Sequence, residues 1–544
     1  MCGIFAILNQ EIDNHIYKAF LSGQSRGPED SILLTGSKND NYILGFHRLA
    51  INGLNSESSQ PLRFLGCKLI CNGEIYNYKE LAKKYNITLN TQSDCEIIIH
   101  LYKKFGIFET LNNLDGVFAF ILIDETNKQL FVARDRFGVR PLFEHTIEMF
   151  ENEIYIFASE AKVLKNLNNK EENKIQPFLP GTFKQFNYKY DSYQFVFSNY
   201  YYYYPDSYLS IPNLNEYIVE SFEQAIIKRI VDTTDRPVAC LLSGGLDSSI
   251  VCALVSQYYQ HTLETYSIGL EGSEDLKYAQ LVADYLGTKH TNIIVSENEF
   301  FEAIPEVIYT IESYDTTTVR ASVGNYLIGK YIKENSNAKV IFNGDGSDEL
   351  MGGYIYFNSC PNHQDFDNEC KRLLNDIHYF DVLRSDRCIS SHGLEPRTPF
   401  LDYKWVNAYL SIKPELRFQG KNIEKFLFRN AFHKVRPNIL PYDILWRNKE
   451  AFSDGVSSIN RSWFEIINEK INYLYNYTYI YEKIEPYLTN NNTLEKAYYK
   501  FLFEKYFKNL DHLIPYFWMP RFIHSNDASA RTLATYSLPI VSTV

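Results

Sequence analysis

A cysteine stands at position 2, directly after the first methionine. Methionine is readily removed before a small residue, and the chain would then begin with Cys2. Such a residue carries its thiol and a free α-amine side by side. An α-amine titrates near about 8, so it can take the thiol proton without a histidine. A second chemistry-bearing stretch lies far along the chain. The short apolar run at 237–242 leads into Ser243-Gly244-Gly245-Leu246-Asp247-Ser248-Ser249, and helical spacing follows to residue 258. Small residues between a strand and a helix let backbone amides line up as an anion cradle. No Gly-Lys-Ser or Gly-Lys-Thr follows, so this is not the lysine-bearing nucleotide loop. A second glycine-bearing loop, Asn343-Gly344-Asp345-Gly346, follows the run at 339–342 and continues into Ser347-Asp348-Glu349.

Six segments occur in order near the first of these sites. They are Met1-Cys2-Gly3-Ile4-Phe5, Arg26-Gly27-Pro28, His47-Arg48-Leu49-Ala50-Ile51, Asn72-Gly73-Glu74-Ile75-Tyr76-Asn77, Ser93-Asp94-Cys95-Glu96 and the hairpin at 133–142. Jointly they resemble the class II glutamine amidotransferases, which are N-terminal-nucleophile hydrolases. The resemblance implies that Cys2 attacks the amide of L-glutamine. A zwitterionic substrate needs a cation for its carboxylate, and Arg48 suits that as a bidentate donor. Asp94, with Glu74, suits the ammonium. The Asn72 side chain and the Gly73 amide suit the oxyanion of the tetrahedral intermediate. Leu49, Ala50, Ile51 and Asn52 complete the implied glutamine-binding segment. Two departures stand out. Glu29 occupies the place of the Asp in Arg-Gly-Pro-Asp, and Ser25 that of a frequent His.

The loop at 243–249 resembles the pyrophosphate loop of the ATP pyrophosphatases. Residues 343–354 resemble the Ser-Gly-Glu/Asp-Gly-x-Asp-Glu-Leu-x-Gly-Gly-Tyr signature of the asparagine synthetases, with Asn343 in place of Ser. Residues 315–322, 393–402, 446–455 and 527–533 resemble further segments of that family. The resemblance implies an ATP site built from Leu241, Ser243, Gly244, Gly245, Asp247, Ser248, Ile268, Asn343 and Gly344. Leu241 and Ile268 would read adenine through backbone groups. The charge of Asp247 repels phosphate unless it holds a metal, so Asp247 and Asp348 are the expected Mg²⁺ ligands. Asp345 matches the acidic position implicated in forming an aspartyl-adenylate. Thr317, Thr318 and Arg320 are candidates to hold L-aspartate. Lys449 would stabilise departing pyrophosphate as a point charge. Glu395 and Arg397 read as structural.

Positioning these groups takes two kinds of element. Apolar, aromatic and β-branched runs at 66–76, 116–124, 129–135 and 153–159 predict strands joined mainly as hairpins. Cys95, Ile98, Ile99 and Tyr102 fall on one face of a predicted helix. A tyrosine-rich stretch at 199–210 marks a change of pattern, which divides the chain into domains 1–205 and 206–544. An amphipathic helix is predicted at 214–230. Strand and helix then alternate at 237–242, 248–258, 265–270, 275–286 and 339–342. Alternation predicts a parallel sheet whose ligand sits at the carboxyl ends of the strands. From about residue 375 the pattern is mostly helical. The expected fold class is α/β with an α+β first part. The resemblance refines it to an αββα N-terminal-nucleophile sandwich, then a doubly wound parallel-sheet ATP-pyrophosphatase domain with a helical C-terminal part.

Composition narrows the function classes. The 544 residues carry 54 basic and 66 acidic side chains, and a net charge of −12 has the wrong sign for coating nucleic acid. The longest uncharged apolar run, at 117–123, is about seven residues, against about 20 for a membrane span. The N-terminus has no basic n-region, the first lysine being Lys18, so no secretory signal is expected. No nucleic-acid or membrane partner is therefore expected. Nine scattered cysteines read as cytosolic thiols, so a cytoplasmic protein is expected. The 43 tyrosines and 37 phenylalanines, the run at 200–204 among them, read as compositional bias.

The resemblance runs from residue 1 to about 533. It implies ATP- and Mg²⁺-dependent conversion of L-aspartate to L-asparagine, with ammonia drawn from L-glutamine. A β-aspartyl-AMP intermediate is implied, with AMP, pyrophosphate and L-glutamate as products. The implied partners are these small molecules, and a homodimer is left open. Three rivals share features. One is an amidotransferase acting on another carboxylate. A second is the β-lactam synthetases, which typically lack the nucleophile that Cys2 supplies here. The third is a catalytically weakened homologue with a binding or regulatory role, against which the presence of every expected charged group argues.

Overall fold

The computed structural model describes residues 1–533, except 37–40, 150–151, 168–173, 206, 232, 421, 450–451, 459–460, 478–479, 489–492 and 526. Asp206, the expected first residue of the second domain, lies outside the described residues. So do Glu450 and Ala451 of the segment carrying Lys449. The chain folds as two compact units.

The first unit takes Met1–Tyr203, Val231–Pro237 and Ser390–Glu395. The last two segments lie within the 206–544 stretch. Its strands are β1 (Gly3–Leu8), β2 (Asp30–Thr35), β3 (Tyr42–Arg48), β4 (Leu62–Phe64), β5 (Cys67–Ile75), β6 (Gly116–Asp124), β7 (Gln129–Arg134), β8 (Phe143–Glu148), β9 (Glu153–Ala158), β10 (Gln176–Pro177), β11 (Thr182–Lys189) and β12 (Ser192–Tyr200). They form two six-stranded sheets, in the orders β10-β8-β9-β1-β3-β2 and β12-β11-β7-β6-β5-β4. The printed pairings within both sheets are antiparallel.

Strand β6 explains the longest apolar run in the sequence. Its side chains alternate between two faces, and both faces are covered. Ala119, Ile121 and Ile123 meet Ile4, Ala6 and Leu8 of β1 and Leu44 and Phe46 of β3 between the sheets. Phe118, Phe120 and Leu122 pack under Ile97, Ile98, Ile99 and Leu101 of the helix Glu96–Phe105. Phe5, on the opposite face of β1 from Ile4 and Ala6, packs on Phe20 of the helix Asn14–Leu21, with ring centroids 5.8 Å apart. The layers therefore run helix, sheet, sheet, helix, as the αββα expectation requires. Each large side chain fully buried here contributes about 1.5–3 kcal/mol of transfer free energy.

The second unit contains Tyr204–Ile230, Val238–Ile389 and the chain from Pro396 onward. It opens with the helix Leu214–Ile227, three residues shorter than the predicted one. Its strands are β13 (Val238–Leu241), β14 (Glu264–Leu270), β15 (Lys289–Val295) and β16 (Val340–Phe342). With β17 (Glu395–Arg397) they form a sheet in the order β15-β14-β13-β16-β17. Strands β13, β14, β15 and β16 pair in parallel. The chain leaves β13 toward β14 on one side and returns to β16 on the other. That reversal opens a crevice at the strand ends, where ligands of such sheets bind. The loops after β13 and β16 are the two glycine-bearing loops. From His363 onward the described elements are mostly helices.

The sequence pattern does not predict strands β1, β2, β3, β4, β8, β10, β11, β12, β15 and β17. The tyrosine run at 200–204 begins at the end of β12, a mostly exposed strand paired to β11. Among the described residues no helix is long and apolar enough to cross a membrane.

Candidate active sites

In the first unit, the register of β1 on β3 sets the geometry. Gly3 pairs with His47, so Cys2 and Arg48 are brought together at one end of these two strands. The Cys2 backbone N–H donates to Asn72 Oδ1 at 3.2 Å, and Cys2 Sγ lies 3.5 Å from the Leu49 carbonyl. Burial pushes the Cys2 thiol above its ordinary value, against the pull of the nearby chain-terminal amine. Asn72 is fully buried on β5, and its Nδ2 has no hydrogen-bond partner among the described residues. An unmatched buried amide costs about 1–3 kcal/mol, so a donor left open beside a nucleophile is an expensive feature. A donor so placed suits the oxyanion expected beside Cys2. Gly73 is required by the sheet, because a Cβ there would lie 2.4 Å from the Val117 carbonyl.

The loop after β3 is held from several sides. Arg48 Nη2 donates to the Gly53 and Asn55 carbonyls, both at 2.8 Å. Asn52 Nδ2 donates to Glu74 Oε2 at 2.6 Å. Asp94, buried, accepts the Ile75 N–H at 2.6 Å. Glu29 is an active part of this loop. It accepts the Ala50 N–H at 2.8 Å and pairs with Arg236 at 2.6 Å. The longer side chain at the Arg-Gly-Pro-Asp position thus has two defined partners. Leu49, Ala50 and Ile51 are buried within the same loop.

In the second unit, Leu241, Ser243, Gly245, Asp247, Ser248, Ile268, Asn343, Gly344, Asp345, Asp348, Thr317, Thr318 and Lys449 line one cleft. Gly244 and Arg320 are not among its lining residues. The helix Leu246–Tyr258 starts at Gly245 with no side-chain cap, so its first amides face the cleft unclaimed by a cap. Ser243 Oγ lies 3.0 Å from Ser248 Oγ and closes the loop on itself.

Asp247 and Asp348 converge on shared cations. Lys425 Nζ lies 2.6 Å from both oxygens of Asp247 and 2.6 Å from Asp348 Oδ1. Lys449 Nζ lies 2.7 Å from Asp348 Oδ2 and 3.5 Å from Asp247 Oδ2. Burial pushes the Asp348 carboxyl up, but Lys425 and Lys449 outweigh it and hold it well below the usual carboxylate range. The same pairing holds the Lys449 ammonium well above its usual value despite burial. Two carboxylates bracketing one cationic point are the donor set a hard divalent ion takes, with phosphate oxygens and water completing its shell. The residues therefore fit Mg²⁺. Asp345 accepts from Arg384 Nη2 at 2.9 Å, while its other oxygen is buried without a partner. Burial pushes this carboxyl up, more than Arg384 pulls it down.

The three aspartate candidates separate. All sit on the helix Thr316–Asn335, capped by Asp315. Thr318 Oγ1 donates to Asp315 Oδ2 at 2.7 Å. Thr317 lines the cleft, and its buried Oγ1 has no hydrogen-bond partner among the described residues. Arg320 turns away. It pairs with Glu495 at 2.5 and 2.8 Å and with Asp527 at 2.8 Å, and stands 4.6 Å over the Phe464 ring. Residues 317 and 320 are only about 60° apart round the helix, so spacing alone does not separate them; the pairing with Glu495 and Asp527 does. Arg320→Met should leave Glu495 and Asp527 facing each other, at a cost of about 3–5 kcal/mol. Thermal unfolding should show that loss. An unchanged midpoint with a large rise in KM for aspartate would instead put the guanidinium on the substrate.

Sequence reasoning missed Lys425 and Arg384. Lys425 is 178 positions from Asp247, and Arg384 is 39 from Asp345. Neither sits in a recognisable loop, and only the fold shows their pairing.

Known proteins match both units. The family model for the glutamine amidotransferase domain matches residues 1–218. The asparagine synthase model matches 218–364 and 358–505. The asparagine synthetase [glutamine-hydrolyzing] of Cricetulus griseus is 40% identical over 574 aligned positions, covering 98% of this chain and 99% of the relative. The Homo sapiens protein of the same name gives the same identity and coverage. That of Gallus gallus is 40% identical, covering 99% of this chain and all of its own length. With this agreement along nearly the whole length, the chain belongs to the glutamine-hydrolysing asparagine synthetases.

Proposed function

We propose that the protein makes L-asparagine from L-aspartate, using ATP and ammonia released from L-glutamine, through a β-aspartyl-AMP intermediate. The observation that carries the reading is the open Asn72 amide beside Cys2, in a chain whose other unit pairs two carboxylates with two lysines in a cleft. Once Met1 is removed, the Cys2 amine takes the thiol proton and the thiolate attacks the glutamine amide carbon. Asn72 Nδ2 and the Gly73 amide receive the oxyanion. Arg48 meets the substrate carboxylate, and Asp94 with Glu74 meets its ammonium. The amine returns its proton to the departing ammonia, and water then releases L-glutamate from Cys2.

In the synthetase cleft, the loop 243–248 and the amides that open the helix Leu246–Tyr258 hold the triphosphate. Asp247 and Asp348 hold Mg²⁺, which neutralises phosphate charge when bound. Lys449 adds positive charge where pyrophosphate departs. Leu241 and Ile268 border the base, with Asn343 and Gly344 beyond the phosphates. Thr317 presents its hydroxyl to aspartate, Thr318 fixes the helix start, and Arg320 positions that helix from behind. Asp345, held by Arg384, serves the adenylation step. Product analysis tests this directly. Aspartate, ATP and Mg²⁺ should yield asparagine with either glutamine or ammonium, and glutamate with glutamine alone. Amidation of a different carboxylic acid, with aspartate inert, would assign another acceptor.

A further inference from the structure

Lys425 does more in this cleft than neutralise charge. Its side chain is 1% exposed, and its ammonium touches three of the four oxygens of Asp247 and Asp348. The backbone is committed to this placement. Lys425 has φ +57°, a left-handed conformation that non-glycine residues seldom adopt. Room has also been kept for it, since a Cβ on Gly353 would lie 2.1 Å from both Lys425 Cε and Asp348 Oδ1. Lys449 is different: its side chain is 20% exposed and it makes one close contact, with Asp348.

We propose that Lys425 is a positioning residue that reserves the two-carboxylate site and makes divalent metal binding conditional on the nucleotide. This rests on the reading of Asp247 and Asp348 as the metal ligands. A divalent ion cannot share these oxygens with a buried ammonium in direct contact with them, because like charges at that separation repel strongly. The metal therefore enters only if Lys425 leaves. A buried ammonium that leaves two carboxylates needs another anion. The polyphosphate chain of ATP brings that anion into the same cleft, so metal and nucleotide bind together while the metal alone does not.

The test measures Mn²⁺ retained by the protein above a membrane that passes the nucleotide, with and without the α,β-methylene analogue of ATP. The wild type should retain about one Mn²⁺ per chain with the analogue and bind at least tenfold more weakly without it. Lys425→Met should bind Mn²⁺ without nucleotide at least tenfold more tightly than the wild type does, and adding Asp247→Asn should remove that gain. Equal Mn²⁺ affinity of the wild type with and without the analogue overturns the proposal, and needs no variant to fold. Failure of a folded Lys425→Met to gain nucleotide-free binding overturns it too, while the metal site stands. Asp247→Asn leaving wild-type retention with the analogue unchanged would overturn the metal assignment itself, and the proposal with it.

Discussion

Cys2→Ala abolishes asparagine formation from glutamine and leaves formation from ammonium at the wild-type rate. The expected fall in glutaminase activity is roughly 10⁴-fold or more, because loss of a covalent nucleophile removes the route and not one of its contacts. The structure supports a clean separation. Among the described residues, the hydrogen-bond contacts of Cys2 are with groups of the first unit: Asn72, Leu49 and, through its carbonyl, Arg26 at 3.1 Å. The substitution removes one sulfur from a half-buried position, so folding should survive. Glutamate release and asparagine formation, measured side by side with each nitrogen donor, check this. Persistent glutamine-dependent synthesis in ammonium-free buffer would remove Cys2 from its role.

Asp348→Asn produces the converse defect. Glutamine hydrolysis continues, and ATP turnover falls by on the order of 10³-fold, the effect of losing several kcal/mol of charge stabilisation at a metal-bound phosphate. The structural basis is the strength of the pairing. Two ammonium groups hold this carboxylate ionised against burial, and an amide can satisfy neither as an anion does. Aspartate-dependent exchange of labelled pyrophosphate into ATP is the measurement. Exchange at the wild-type rate with the same Mg²⁺ dependence would take Asp348 out of the metal site.

Much of this site was legible because its chemistry is local in sequence. Asn72 and Gly73 are neighbours on one strand, and the loop 243–248 carries its glycines, serines and aspartate consecutively. Backbone geometry then fixes where they point. The strand–loop–helix alternation after residue 237 likewise predicted a parallel sheet with the cleft at its strand ends. Other features depend on distant partners. The motif around Arg320 suggested substrate binding, but Glu495 and Asp527 lie 175 and 207 positions away and claim its guanidinium. Lys425 carries no local signal because its meaning comes from two loops that precede it. Strand β12 ends where the tyrosine run read as composition begins, and Tyr200 alone of that run belongs to it, paired with Thr182 of β11. Glu29 looked like a departure from a motif, yet its extra methylene lets it hold the Ala50 amide and Arg236 together.

On the proposed reading, ATP is cleaved between the α- and β-phosphates to make an acyl-adenylate. The loop at 243–248, with Asp247, Asp348 and Lys449, would hold the β- and γ-phosphates as one departing unit, so that attack falls on the α-phosphorus. Oxygen-18 placed in the β-carboxylate of aspartate tests this most directly. The account predicts that label passes to AMP, with unlabelled pyrophosphate as the other product. Label in inorganic phosphate, with ADP formed, would contradict it.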